Sequence, residues 1–131
     1  MTIEKDFQNI ISEADLASYV EDLLNLYRWR WVHFRPAQSE RGWRTPIRGG
    51  GPDGFKGKGL PDYIAVKASR LLFIELKSEK GKLSKAQMAW DRDLRDCQIF
   101  VDVDENNEEI YCPEVYLWKP SDRDQLEEIL K

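Results

Sequence analysis

The chain has 131 residues, 41% of them hydrophobic and 34% charged, which fits one domain with its own core and a polar surface. No apolar run approaches the roughly 18 residues of a membrane span, and the charged start, residues 1–6, lacks the apolar centre of a signal peptide. Cys97 and Cys112, with His33 as the sole histidine, give no zinc-site spacing, so two reduced thiols in a cytoplasmic protein are expected.

Residues 12–27 carry Leu16, Tyr19, Val20, Leu23, Leu24 and Tyr27 at spacings of three and four, which predicts an amphipathic helix. Ser12 is its expected N-cap, with Asp15 in the capping-box position. Residues 30–35 read as a strand through Trp31, Val32 and Phe34. Residues 36–59 hold seven of the eight glycines and show no periodicity, so a long basic loop is expected there. Loops of that length are usually functional, and glycine lets a backbone approach a ligand closely.

Residues 62–67 and 71–77 read as two strands joined by a short turn at 68–70, a length that favours an antiparallel hairpin. Ser84 starts a helix running to about residue 96, with Met88, Ala89, Trp90 and Leu94 on its expected buried side. A strand over 98–103, an acidic turn over 104–109, a return strand over 110–112 and a strand over 114–118 follow. Ser121 is expected to cap a last helix, with Asp124 three residues on and Leu126, Ile129 and Leu130 as its apolar face. The order α-β-loop-β-β-α-β-β-α predicts an α/β layered fold.

The net charge of −4 is unevenly placed. Between residues 35 and 85 there are 12 basic and 5 acidic residues, +7, which leaves −11 for the remainder. A polyanion would be drawn to the first stretch and repelled elsewhere. Arg35, Arg41, Arg44, Arg48, Lys56, Lys58, Lys80 and Lys82 are the candidate DNA contacts.

Inside that stretch, Pro61-Asp62 opens one strand, and Glu75-Leu76-Lys77 lies in the next. Side chains at i and i+2 of a strand share a face, so Glu75 and Lys77 project together. If the strands are neighbours, Asp62 joins them. Leu72, Phe73, Ile74 and Leu76 surround Glu75, and a charge inside so apolar a run is costly unless it is used. Two carboxylates with the Leu76 carbonyl suit a hard divalent cation, and Lys77 could orient or deprotonate a water. Pro52-Asp53 repeats the dipeptide but leads into Gly54-Phe55-Lys56-Gly57, not a strand, so Asp62 is preferred.

Gly59-Leu60-Pro61-Asp62-Tyr63, Leu72-Phe73-Ile74-Glu75-Leu76-Lys77, Gly81-Lys82-Leu83-Ser84, Gln87 and the closing Val115-Tyr116-Leu117-Trp118-Lys119-Pro120-Ser121-Asp122 together resemble the VRR-NUC domain of the PD-(D/E)XK nuclease superfamily. The likeness is to the small stand-alone versions of bacteriophages and bacteria. It implies a restriction-endonuclease-like core with a mixed central sheet flanked by helices. It implies a Mg²⁺- or Mn²⁺-dependent DNA endonuclease in a bacterial or phage-infected cell. Asp62 and Glu75 match the family's metal ligands, Lys77 its lysine and Gln87 its helix glutamine. A first-helix glutamate near the metal is matched best by Glu13, with Glu21 as the alternative. The resemblance also implies a homodimer acting on four-way junctions, or a flap enzyme like a related domain in Fanconi-associated nuclease. An inactive nuclease fold that only binds DNA is the other reading. Residues 97–113 depart from the family by their length, and no Val-Arg-Arg tripeptide is present.

Overall fold

The computed structural model describes residues 11–34, 37–39, 42–44 and 48–131, with only the backbone path described over 37–39 and 42–44. Arg35, Arg41 and residues 1–10 therefore lie outside the described residues, as does the Arg44 side chain.

Helix α1 (Glu13–Leu26) is followed by strands β1 (Arg30–His33), β2 (Ala37–Ser39), β3 (Gly42–Arg44), β4 (Tyr63–Lys67) and β5 (Arg70–Leu76). Helix α2 (Lys85–Asp96), strands β6 (Ile99–Val103), β7 (Glu109–Cys112) and β8 (Glu114–Trp118), a 3₁₀ turn (Pro120–Asp122) and helix α3 (Arg123–Leu130) complete the chain. The main sheet runs β1-β4-β5-β8. Its first three strands are antiparallel, and β8 lies parallel to β5, so the sheet is mixed. The whole is an α/β arrangement with helices flanking a mixed sheet. Among the described residues no helix is long and apolar enough to cross a membrane.

Local chemistry sets these elements. The Ser12 hydroxyl accepts the Asp15 N–H at 3.0 Å, and the Asp15 carboxylate accepts the Ser12 N–H at 3.3 Å, closing the expected capping box. Ala68 (φ 48°) and Ser69 (φ 69°) turn β4 into β5, both left-handed as a two-residue primed hairpin requires. Period two then gives the sheet two unlike faces. Tyr63, Ala65, Leu72, Ile74, Leu76 and Trp118 point to one and are buried against Leu16, Val20, Leu23 and Leu24 of α1 and Leu126 and Leu130 of α3. Each of these larger side chains contributes about 1.5–3 kcal/mol by leaving water. The edge of this layer is stapled by polar groups: Trp29 Nε1 donates to the Leu130 carbonyl at 2.8 Å, and Arg70 grips Glu114 through two bonds of 2.8 Å.

The other face carries Ile64, Phe73, Glu75, Lys77 and Val115, and it is much less covered. Helix α2 stands over it without burying any residue of its own. Met88, expected on a buried side, is 56% exposed, while Trp90 and Leu94 are half-buried against the glycine-rich loop. The physical reason is that α2 rests on the loop: Gly59 lies so close to Ala86 that a side chain there would meet its carbonyl carbon at 2.3 Å.

Two further expectations change. The loop over 36–59 is interrupted by a β2–β3 hairpin in which Ser39 faces Gly42. Three rungs are too few to leave a period-two signal. Ser121 is not the cap of the last helix; its N–H donates to Glu79 at 3.0 Å. Pro120 starts a 3₁₀ turn ahead of α3, and the Lys119 N–H donates to Asp122 at 2.9 Å.

Candidate active site

The site lies where the β4–β5 hairpin opens, at the end remote from its turn. Tyr63 pairs with Ile74, so one further step of the register sets Asp62 across from Glu75. Asp62 Oδ2 accepts the Leu76 N–H at 2.9 Å, which holds that carboxylate against the end of β5. The N–H and carbonyl of one strand residue leave on the same side. The Leu76 carbonyl therefore opens toward Asp62. On the other side, the Lys77 N–H donates to the Trp118 carbonyl at 3.0 Å, tying Lys77 to β8.

Glu75 is 6% exposed and is the one charged residue in the core among the described residues. Gln87 Nε2 donates to its Oε1 at 2.8 Å, and Lys77 Nζ lies 3.9 Å from that same oxygen. Gln87 is itself held by α2: Ser84 and Gln87 form a capping box, with bonds of 2.8 and 3.1 Å. Its Oε1 caps the helix start while its Nε2 reaches the acid. Glu75 Oε2 is buried and has no hydrogen-bond partner. Burial pushes the Glu75 carboxyl up to about 8, with the Asp62 charge adding to the rise and Lys77 opposing it.

Glu13 sits at the first turn of α1. Partial burial and then Asp62 raise its carboxyl pKa, while Lys77 and His33 pull it down. Its field thus couples to the Asp62–Lys77 pair. Glu21, two turns on, is engaged elsewhere: Tyr63 donates its hydroxyl to Glu21 Oε2, and His33 Nδ1 lies 3.4 Å from that oxygen. His33 stacks on Tyr63 with centroids 4.1 Å apart, so it is a packing residue of β1. The Tyr63–Glu21 link was not legible from sequence; only a tyrosine directly after Asp62, on the core face, hints at it.

Among the described residues no three His, Cys, Asp or Glu side chains gather closely enough to enclose a metal. The structure thus unites Asp62, Glu75, Lys77 and Gln87, with Glu13 beside them but not as a third member of a tight cage. That donor set fits Mg²⁺, which keeps several waters and takes one or two carboxylates plus substrate phosphate. The bare, buried Glu75 Oε2 is the oxygen such an ion would satisfy. Of the basic candidates, Arg48, Lys56, Lys58, Lys80 and Lys82 are exposed. Asp53 is exposed in the loop, and its Oδ1 accepts the Phe55 N–H at 3.0 Å.

Residues 54–105 match the family model of the VRR-NUC domain. Over that span the chain is similar to the VRR-NUC domain. The matched span includes Asp62, Glu75, Lys77 and Gln87, together with the end of the basic loop and all of α2. Glu13 and β8 lie outside it. No curated protein and no solved structure gives a significant match. The VRR-NUC domain is a nuclease domain, so the similarity points to a nuclease-type, DNA-processing role.

Proposed function

We propose that the protein is a metal-dependent endonuclease that hydrolyses phosphodiester bonds in branched or structured DNA, on a PD-(D/E)XK core. The observation that carries this reading is the buried Glu75, with one oxygen bare, facing Asp62 and flanked by Lys77. Asp62, Glu75 and the Leu76 carbonyl would hold Mg²⁺ or Mn²⁺. When bound, the ion supplies positive charge against the reacting phosphate and acidifies a coordinated water. Lys77 aligns the attacking water, whose oxygen bonds to phosphorus as the bond to the leaving sugar oxygen breaks. Gln87 fixes the Glu75 rotamer, and Glu13 offers a second carboxylate to hold that water. Arg48, Lys56, Lys58, Lys80 and Lys82 guide the strand.

The test is cleavage of labelled linear duplex, single strand, 5′ flap, 3′ flap and four-way junction with Mg²⁺, Mn²⁺ or EDTA. Cutting is expected on branched DNA with either metal, none in EDTA, and a loss of about 100-fold or more in Lys77→Ala. Binding that weakens steeply with salt, without cutting in any metal, would establish the inactive binding module instead.

A homodimer belongs to the same proposal. Both faces of β6 are apolar and exposed, with Ile99 at 65%, Phe100 at 57% and Val101 at 51%. A contiguous apolar strip of this kind marks a contact surface. Acidic Asp102, Asp104, Glu105, Glu108 and Glu109 surround it and repel a DNA phosphate backbone. A second copy suits it, because an identical strip is self-complementary about a two-fold axis. The wild type is expected to sediment as a dimer and Phe100→Asp as a monomer.

A further inference from the structure

A cavity of about 240 Å³ lies between the glycine-rich loop and α2. Pro52 and Phe55 wall it from the loop, and Trp90 and Leu94 from the helix. We infer that it receives a single unpaired nucleobase of the DNA being cut, an inference that rests on the nuclease reading above.

Size and chemistry select that occupant. Drug-sized ligands need about 300–1,000 Å³, so the cavity suits one planar ring system. The walls are apolar and aromatic, and any base can stack on such a surface through its π face. The polar groups lining it are Asp53 and Asp93 against Lys58. Two acids turn a phosphate away, so the uncharged ring of a nucleotide enters rather than its phosphate. Carboxylates only accept hydrogen bonds, which favours bases bearing an exocyclic amine.

Position ties the cavity to the acids. Trp90 follows Gln87 by three residues, about 4.5 Å along the helix and on the neighbouring face. Gln87 is bonded to Glu75. One helix therefore carries both a wall of the cavity and the donor to Glu75. Its loop wall is also pre-built. A side chain on Gly49 would meet the Gly57 Cα at 2.8 Å, so the loop crosses itself there and closes around residues 50–56. A preformed cavity spares the substrate the cost of ordering it. A paired base cannot enter, so the cavity makes an unpaired nucleotide a recognition element.

The experiment uses the full chain and a duplex with one bulged nucleotide, which carries adenine, 2-aminopurine or no base at all. Binding is read in EDTA and cleavage in Mg²⁺. Removing the base should weaken binding by roughly 5- to 150-fold, the span of one base–aromatic stack. Trp90→Ala should lose as much on adenine DNA, and the two changes together should cost no more than either alone. Trp90→Phe should recover most of the loss, and bound 2-aminopurine should be quenched by stacking on wild type but not on Trp90→Ala. Equal affinity of the wild type for adenine and abasic bulges would overturn the inference, with no variant needed to fold. Cleavage separates the two claims. Base-independent binding with metal-dependent cutting removes the pocket and keeps the nuclease; base-dependent binding without cutting in any metal does the reverse.

Discussion

Glu75→Gln is expected to lower metal-dependent cleavage by at least about 1,000-fold, the loss of several kcal/mol of charge stabilisation, while making the metal-free protein more stable at pH 8. The carboxyl pKa in the fold is about 8 against an ordinary 4.5, because burial and Asp62 disfavour the anion. Below about pH 4.5 both folded and unfolded chains hold the proton, and this group leaves stability unchanged. Between 4.5 and 8 the unfolded chain ionises first, so it binds fewer protons and stability falls as pH rises. Glutamine cannot ionise, and its carbonyl can still accept from Gln87. Lys77 loses an attraction at 3.9 Å, so the net gain is set at about 1–3 kcal/mol rather than the full shift. Urea unfolding in EDTA at pH 5 and pH 8.5 measures it. The wild type should weaken between the two, and Glu75→Gln should weaken less. Mg²⁺ should then stabilise the wild type more at pH 8.5 than at pH 6, since the ligand must shed its proton to bind. Identical pH dependence in the two proteins would show that Glu75 is not the acid under strain.

The parts that local chemistry dictates were legible in the sequence. The period of three and four from Leu16 to Tyr27 and the Ser12–Asp15 box gave α1. The short apolar runs either side of Ala68-Ser69 gave the central hairpin, and with it the meeting of Asp62, Glu75 and Lys77. Gln87 was marked by the family resemblance, but its double role was not: one amide caps its own helix and grips Glu75. What stayed illegible depends on contacts distant in sequence. The parallel partnership of β5 with β8 joins residues some 40 apart. Trp90 and Leu94 look like core residues by period alone, yet they face a loop, because α2 rests on that loop at Gly59. The apolar run Ile99-Phe100-Val101 likewise predicts a strand but not that both its faces stay in water.

Gly59→Ala is expected to cost about 3 kcal/mol or more of stability and, with it, about 100-fold in cleavage. Gly59 has φ 91°, a left-handed conformation that penalises any side chain. A methyl there would also meet three backbone atoms: the Ala86 carbonyl carbon at 2.3 Å, its oxygen at 2.5 Å and the Gln87 nitrogen at 2.5 Å. Backbone atoms of a helix cannot turn aside as a flexible side chain can, so α2 must move bodily. The first residue displaced is Gln87, the donor to Glu75, and a shift near 1 Å at a reacting centre can cost about 100-fold. Gly54→Ala separates the two contributions. Gly54 shares a positive φ of 78° but has no atom within 4 Å of the added methyl, so it carries the conformational cost alone, about 1 kcal/mol. Urea midpoints compare the stabilities, and cleavage is measured where both variants are folded. A Gly59→Ala loss equal to that of Gly54→Ala would mean that α2 is not clamped by the loop. A larger loss, falling on cleavage as well, ties the glycine-rich loop to the acids through one helix. That linkage explains why a glycine-rich segment lies directly before the first carboxylate.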